Sequence, residues 1–155
     1  MRIAVSSDMD ELVARQLVEE LRRRGHTVLA YGALRPEDRK ERDGWAWCSE
    51  AAARALAEGA ADQAVVCCWT GTGASIAANK VPGVRAALCA DAYTADGART
   101  WNDANALALS LRTLSGPVLV EILDAWFAGL PSRQSEDREN VAHVNVIDGF
   151  EEVCS

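Results

Sequence analysis

Val65-Val66-Cys67-Cys68-Trp69-Thr70-Gly71-Thr72-Gly73-Ala74-Ser75-Ile76-Ala77-Ala78-Asn79-Lys80 is the stretch on which the fold turns. The apolar run from Ala64 to Cys68 reads as a strand buried on both faces, and it empties through a loop with two glycines into an Ala-rich helix. Strand, glycine loop and helix together make the geometry of an anion site. The first turn of a helix leaves N–H groups without partners, and the helix dipole adds positive potential there. Gly71 and Gly73 either let the backbone approach a bound group or take positive φ.

Cys68 closes the strand, and in open α/β sheets ligands bind at the carboxyl ends of strands. A thiol beside helix N–H groups is suited to act as a base or nucleophile. Cys67 and Cys68 point to opposite faces, so one of them is core, and Cys68 is nearer the loop. T-G-T-G is neither G-x-G-x-x-G nor a P-loop, since the third glycine and a Gly-Lys-Ser/Thr are both absent. On pattern alone the loop is either a ligand loop or a structural strand-to-helix turn.

The rest of the chain repeats the unit. Arg2 to Ser6 reads as a strand ended by Ser7-Asp8. A helix over residues 10–24 follows, with Leu12, Val13, Leu17, Val18 and Leu21 at helical spacing and Gly25 as its stop. Asp8 lies on the same sheet edge as Cys68, as either a helix cap or a ligand contact. Thr27 to Tyr31 is the second strand, residues 32–44 a charged surface loop, and Trp45 to Glu58 the second helix. Trp45 and Trp47 read as packing or subunit contacts rather than base-stacking groups. Residues 84–90 form a strand, 91–99 a short helix, 101–103 a polar loop and 104–110 the fifth strand. Ser115 caps a last helix with Pro117 in its first turn, and Gly129 and Pro131 end it. Five βα repeats predict an α/β fold: a Rossmann-like three-layer α/β/α sandwich on a five-stranded parallel sheet.

At 155 residues the expectation is one domain over 1–155, its tail from about residue 132 packing on a partner subunit. The apolar fraction of 49% excludes a disordered or fibrous class. A formal charge of -7 without a basic stripe argues against nucleic acid or an anionic membrane as partner, so any anionic ligand is held locally. No apolar run approaches the ~20 residues of a membrane span. The five cysteines lack C-x-x-C spacing, which argues against a disulfide framework or zinc site and fits a reducing cytoplasm.

Together these residues resemble the family of ribose-5-phosphate isomerase B and the galactose-6-phosphate isomerase subunits. The likeness rests on C-x-T-G-x-G-x-S-I-A-A-N-K at 68–80, G-V-R-A-A-L-C at 83–89, N-D-x-N at 102–105, and Arg112. It implies aldose–ketose isomerisation of sugar phosphates without metal or cofactor, in homodimers or tetramers with shared sites. It also implies Cys68 as the base moving a proton between C2 and C1, with Thr70 moving one between the oxygens. Trp69, Gly71, Thr72 and Gly73 belong to the loop that stabilises the enediolate, oxyanion-hole logic. Asp8 matches a sugar contact, and Asn102 and Arg112 match groups that a neighbouring subunit contributes.

Two positions depart from the family pattern. Met9 stands where a phosphate-binding histidine is usual, and Trp101 where a ring-opening histidine is usual. Met donates no hydrogen bond, and an indole donates without shuttling a proton. His26 and His143 fall in neither motif. Arg133 and Arg138 partly echo the family's tail arginines for phosphate, with a spacing of five instead of four. The resemblance therefore implies a small-molecule sugar or sugar phosphate as partner. An altered or unphosphorylated substrate, or a non-catalytic binding subunit, is the consequence of the two departures.

Overall fold

A computed structural model describes residues 1–35 and 43–149. The predicted loop's residues 36–42 and the tail's residues 150–155, including Phe150 and Val153, lie outside the described residues. The elements run β1 (Arg2–Ser7), α1 (Leu12–Arg23), β2 (Thr27–Gly32), α2 (Trp45–Ala57), β3 (Gln63–Cys68) and α3 (Thr72–Ala78). Then follow β4 (Ala86–Leu88), α4 (Ala92–Asn102), β5 (Ala106–Ser110), α5 (Gly116–Ala128) and α6 (Ser135–Ile147).

The five strands form one parallel sheet in the order β2-β1-β3-β5-β4. Right-handed crossovers decide which face each helix covers. The moves from β1 to β2 and from β4 to β5 run one way across the sheet and place α1 and α4 on one face. Those from β2 to β3 and from β3 to β4 run the other way and place α2 and α3 opposite.

The two faces differ in bulk. Ile3, Val5, Val65, Cys67, Leu107 and Leu109 meet the large side chains of α1 and α5, including Leu17, Leu21, Ile122 and Trp126. Ala4, Ala64, Val66, Cys68, Ala106 and Ala108 meet Ala52, Ala53, Ala74 and Ala78 of α2 and α3. Strand alternation thus separates the adjacent cysteines. Cys67 is fully buried on the bulky face, while Cys68 faces the alanine-rich layer on which α3 begins. Trp126, fully buried, donates from Nε1 to Gln63 Oε1 at 2.8 Å, which satisfies its one polar group at the start of β3.

The helix ends follow the expected chemistry. Gly25 takes φ +84°, and the bonds from His26 N to Leu21 O (3.0 Å) and Gly25 N to Arg22 O (2.9 Å) close α1 as a Schellman motif. Ser115 Oγ accepts from Val118 N at 3.4 Å at the start of α5.

Four boundaries depart from the sequence expectation. β4 is three residues long, not the seven of 84–90. β5 starts at Ala106, because Asn105 is spent as a backbone mimic, accepting from Arg85 N at 2.8 Å and donating to Gly83 O at 2.9 Å. α4 continues through Trp101 and Asn102, which were expected in a loop, and the chain leaves the helix only at Asp103 (φ +44°). Gly97 allows this, since a Cβ there would clash with Trp101 Cζ3: the indole folds back on its own helix. Residues 135–147 of the predicted tail form a helix, α6, none of whose described residues is buried. It is tied down by Gly83 N donating to Asp148 Oδ2 (2.6 Å) and Arg85 Nη1 donating to Asn145 Oδ1 (3.3 Å). Among the described residues no helix is long and apolar enough to cross a membrane.

Candidate active site

The sheet order reverses between β1 and β3, so their chains diverge at the carboxyl edge and leave a crevice there. Ser7 pairs with Cys67, which puts Asp8 beside Cys68 across that crevice. Ser7 Oγ donates to Met9 O (2.7 Å) and accepts from Met9 N (3.3 Å), turning the chain sharply at Asp8.

Asp8 does not cap α1. That helix starts at Leu12, its N-cap Glu11 makes no side-chain cap, and Asp8 Oδ1 is buried with no hydrogen-bond partner. Burial raises the Asp8 carboxyl above the ordinary carboxylate range, against a smaller lowering by its own backbone N–H. The native state therefore holds this proton more tightly than the unfolded chain. Stability contributed by the protonated form falls as pH rises through the ordinary carboxylate value to the raised one. Asp8→Asn is expected to remove that part of the slope in urea melts taken from about pH 4 to 7. An unchanged slope would refute the reading.

Met9 is half-buried and packs against the core on the α1 face. Beyond Cys68 the loop is stitched to the exit of β5. Leu111 N donates to Cys68 O (3.0 Å), Arg112 N to Trp69 O (2.9 Å), and Ser110 Oγ to Trp69 O (3.0 Å). Gly71 takes φ +75° and ψ −16° immediately before α3. Ala74 N, in the first turn of that helix, donates to Cys68 Sγ at 3.4 Å. Thr70 and Thr72 hydroxyls are paired at 2.8 Å. The site thus joins a thiol, backbone N–H groups, a hydroxyl pair and a carboxyl, groups able to take a proton from carbon and hold the resulting oxyanion.

The structure brings together Asp8, Met9, Cys68, Trp69, Thr70, Gly71, Thr72 and Gly73, with the backbone of Arg112 beside them. It does not bring Trp101, Asn102 or Arg138 to them. α4 leaves the carboxyl edge at Ala92 and ends at Asn102, four residues before β5 begins, so Trp101 and Asn102 stand at the amino edge of the same sheet. There Arg85, next to the start of β4, donates from Nε to Asp103 O at 2.8 Å. Trp101 and Asn102 line a cavity of about 560 Å³ beneath α6, with Asn79, Val144 and Ile147. Trp101 and Arg138 line a neighbouring one of about 380 Å³, with Arg85 and Asp137. Arg133 is exposed and lines neither. His26 packs on Phe127, ring centroids 4.7 Å apart, and His143 is exposed on α6. Among the described residues no cluster of three or more His, Cys, Asp or Glu is placed to hold a metal ion.

Two contributors escaped the spacing argument. Leu88 lies against Gly71, where an added Cβ would stand 2.6 Å from its Cδ1. Trp45, assigned to packing or a subunit contact, lies against Gly73. Neither is visible without the tertiary contact. Asn79, inside the quoted motif, is a staple: it donates to Ala86 O and accepts from Ala86 N, both at 2.8 Å.

The model of the Ribose/Galactose Isomerase family matches residues 3–146. The chain belongs to that family. Ribose/galactose isomerases similar to it include ribose-5-phosphate isomerase B of Escherichia coli, 35% identical over 115 residues that make up 74% of each chain. A 4-deoxy-4-sulfo-D-erythrose isomerase of a Clostridium species is 32% identical over 129 residues, 83% of this chain and 76% of that one. The solved structure of Clostridium thermocellum ribose-5-phosphate isomerase B matches with a TM-score of 0.86 at 33% identity, over 96% of this chain and 98% of that one. This ribose/galactose isomerase chain therefore has the Rossmann-like three-layer fold expected from its repeats.

Proposed function

We propose that the chain is a cofactor-free aldose–ketose isomerase of the ribose-5-phosphate isomerase B type, with Cys68 as base and a sugar whose distal end differs from that of ribose 5-phosphate. The observation that carries this reading is Cys68 Sγ held 3.4 Å from Ala74 N in the first turn of α3, beside Asp8 at the topological switch point. The thiolate takes the proton from C2 of the opened aldose. Electrons move into the C1–C2 bond, and charge builds on O1, where loop N–H groups stabilise it. Thr70 carries the O2 proton to O1, and Cys68 returns its proton to C1, which yields the ketose.

The changed distal end rests on Met9, which donates no hydrogen bond where a phosphate-binding histidine is usual, while Trp101 bears on ring opening, since an indole donates without shuttling a proton. A relative named for a sulfonated tetrose supports a family chemistry that tolerates other termini. The distance between the sheet edges supports a shared site. Trp101, Asn102 and Arg138 reach Cys68 only from a second copy, and the tail bearing α6 packs on that copy. Exposed Trp47, Trp69 and Ile76 fit such a contact.

The test is incubation in heavy water with a panel of aldoses and ketoses, free, phosphorylated and sulfonated, following deuterium at C1 and C2 by NMR. Exchange confined to one end-group class is expected, in protein that sediments as a dimer or larger. Saturable binding with no exchange across the panel would replace the reading with a non-catalytic binding subunit. Full exchange by a monomer would overturn the shared site.

A further inference from the structure

We propose that Trp45 is a positioning residue for Cys68, acting through Gly73; the inference rests on the catalytic reading of Cys68. Gly73 is the second residue of α3, and its φ lies outside the positive range that requires glycine. At such a position alanine is favoured over glycine by about 1 kcal/mol. What excludes a side chain is Trp45. A Cβ on Gly73 would stand 2.8 Å from Cε3, 2.9 Å from Cδ2 and 3.3 Å from Cζ3, consecutive atoms of the indole's benzo ring.

The ring therefore lies on the backbone of Gly73, one peptide before the N–H that reaches Cys68 Sγ. Trp45 opens α2, the other helix of the alanine-rich layer, and its carbonyl accepts from the Cys48 thiol at 3.8 Å, which adds a tie within the helix's first turn. The indole is 46% exposed, so its removal takes little from the core. What it fixes is the height of the first turn of α3 over the sulfur. Displacement of a reacting group by about 1 Å costs on the order of 10²-fold in rate.

The experiment combines deuterium exchange with site-resolved iodoacetamide labelling of Cys68, with Cys67 as the internal reference for intact core. Trp45→Ala is expected to lower the exchange kcat at least tenfold with a smaller change in KM. It is also expected to change the rate of Cys68 alkylation at least threefold while Cys67 stays protected. Trp45→Phe should fall between Ala and Trp in both readouts. Gly73→Ala, forced against the indole, should lose exchange, and adding Trp45→Ala should restore it to at least the level of Trp45→Ala alone. Wild-type exchange and alkylation in Trp45→Ala would overturn the proposal. So would a double variant no better than Gly73→Ala. If Trp45→Ala exposes Cys67, the cycle of Trp45→Phe with Gly73→Ala decides by the same criterion. Alkylation needs no sugar. An inactive wild type would therefore refute the isomerase reading, while the labelling would still decide the clamp.

Discussion

Cys68→Ala should lower deuterium exchange at C1 and C2 by about 10³-fold or more, the upper range of what a positioned base contributes. That factor corresponds to about 4 kcal/mol of transition-state stabilisation. The fold should survive, because the site of the lost sulfur is lined by the small residues of the α2 and α3 layer. Cys68→Ser keeps an acceptor for Ala74 N but replaces the thiol with a hydroxyl that is not itself a base, so its exchange should lie far closer to Ala than to Cys. The adjacent cysteine is the control. Cys67 is fully buried on the opposite face, where burial pushes its thiol far above the ordinary range. Cys67→Ala should leave exchange intact and lower the melting temperature, the reverse of the Cys68 pattern. Exchange that survives Cys68→Ala on the true substrate would end the mechanism.

The contrast between these neighbours was legible from alternation along one strand, and so was most of the layered fold. Apolar runs at β1 and β3, helical spacing at Leu17, Val18 and Leu21, and stops at Gly25 and Gly129 are local signals, and local physics decides them. What spacing could not supply was tertiary. Nothing local reveals that β5 inserts between β3 and β4; that insertion turns the β4–β5 crossover back across the sheet and puts α4 on the face opposite Cys68, while the parallel connection itself ends the helix, with Trp101 and Asn102, at the amino edge. The two loop glycines looked equivalent in sequence. Gly71 serves a left-handed backbone, and Gly73 serves the indole of Trp45. α6 was hidden because its charged start resembled a solvated segment. Its only periodic signal, Val141, Val144 and Ile147, lines a cavity instead of filling a core.

The same distinction makes Gly71→Ala the most damaging single change expected in the loop outside the thiol itself. At φ +75° a side chain costs about 1–2 kcal/mol from backbone strain alone. The added Cβ would also stand 2.8 Å from Leu109 C and 3.0 Å from Leu109 O, backbone atoms of a central strand that cannot yield, and 2.6 Å from Leu88 Cδ1. Leu88 is partly exposed and can rotate away, so the strand decides the outcome: the loop must lift. Lifting it breaks the registry that ties Trp69 O to Arg112 N and brings Ala74 N to Cys68 Sγ. A loss of about 2 kcal/mol or more is expected, lowering the melting temperature by roughly 4–8 °C for a chain of this size. Exchange should fall at least about 10²-fold, because thiol and oxyanion donors separate together. A larger relative loss of activity than of stability is the signature of a loop that serves chemistry. If calorimetry showed the full destabilisation while the surviving folded fraction exchanged at the wild-type rate, Gly71 would be a folding glycine only. The oxyanion site would then have to lie elsewhere along the crevice.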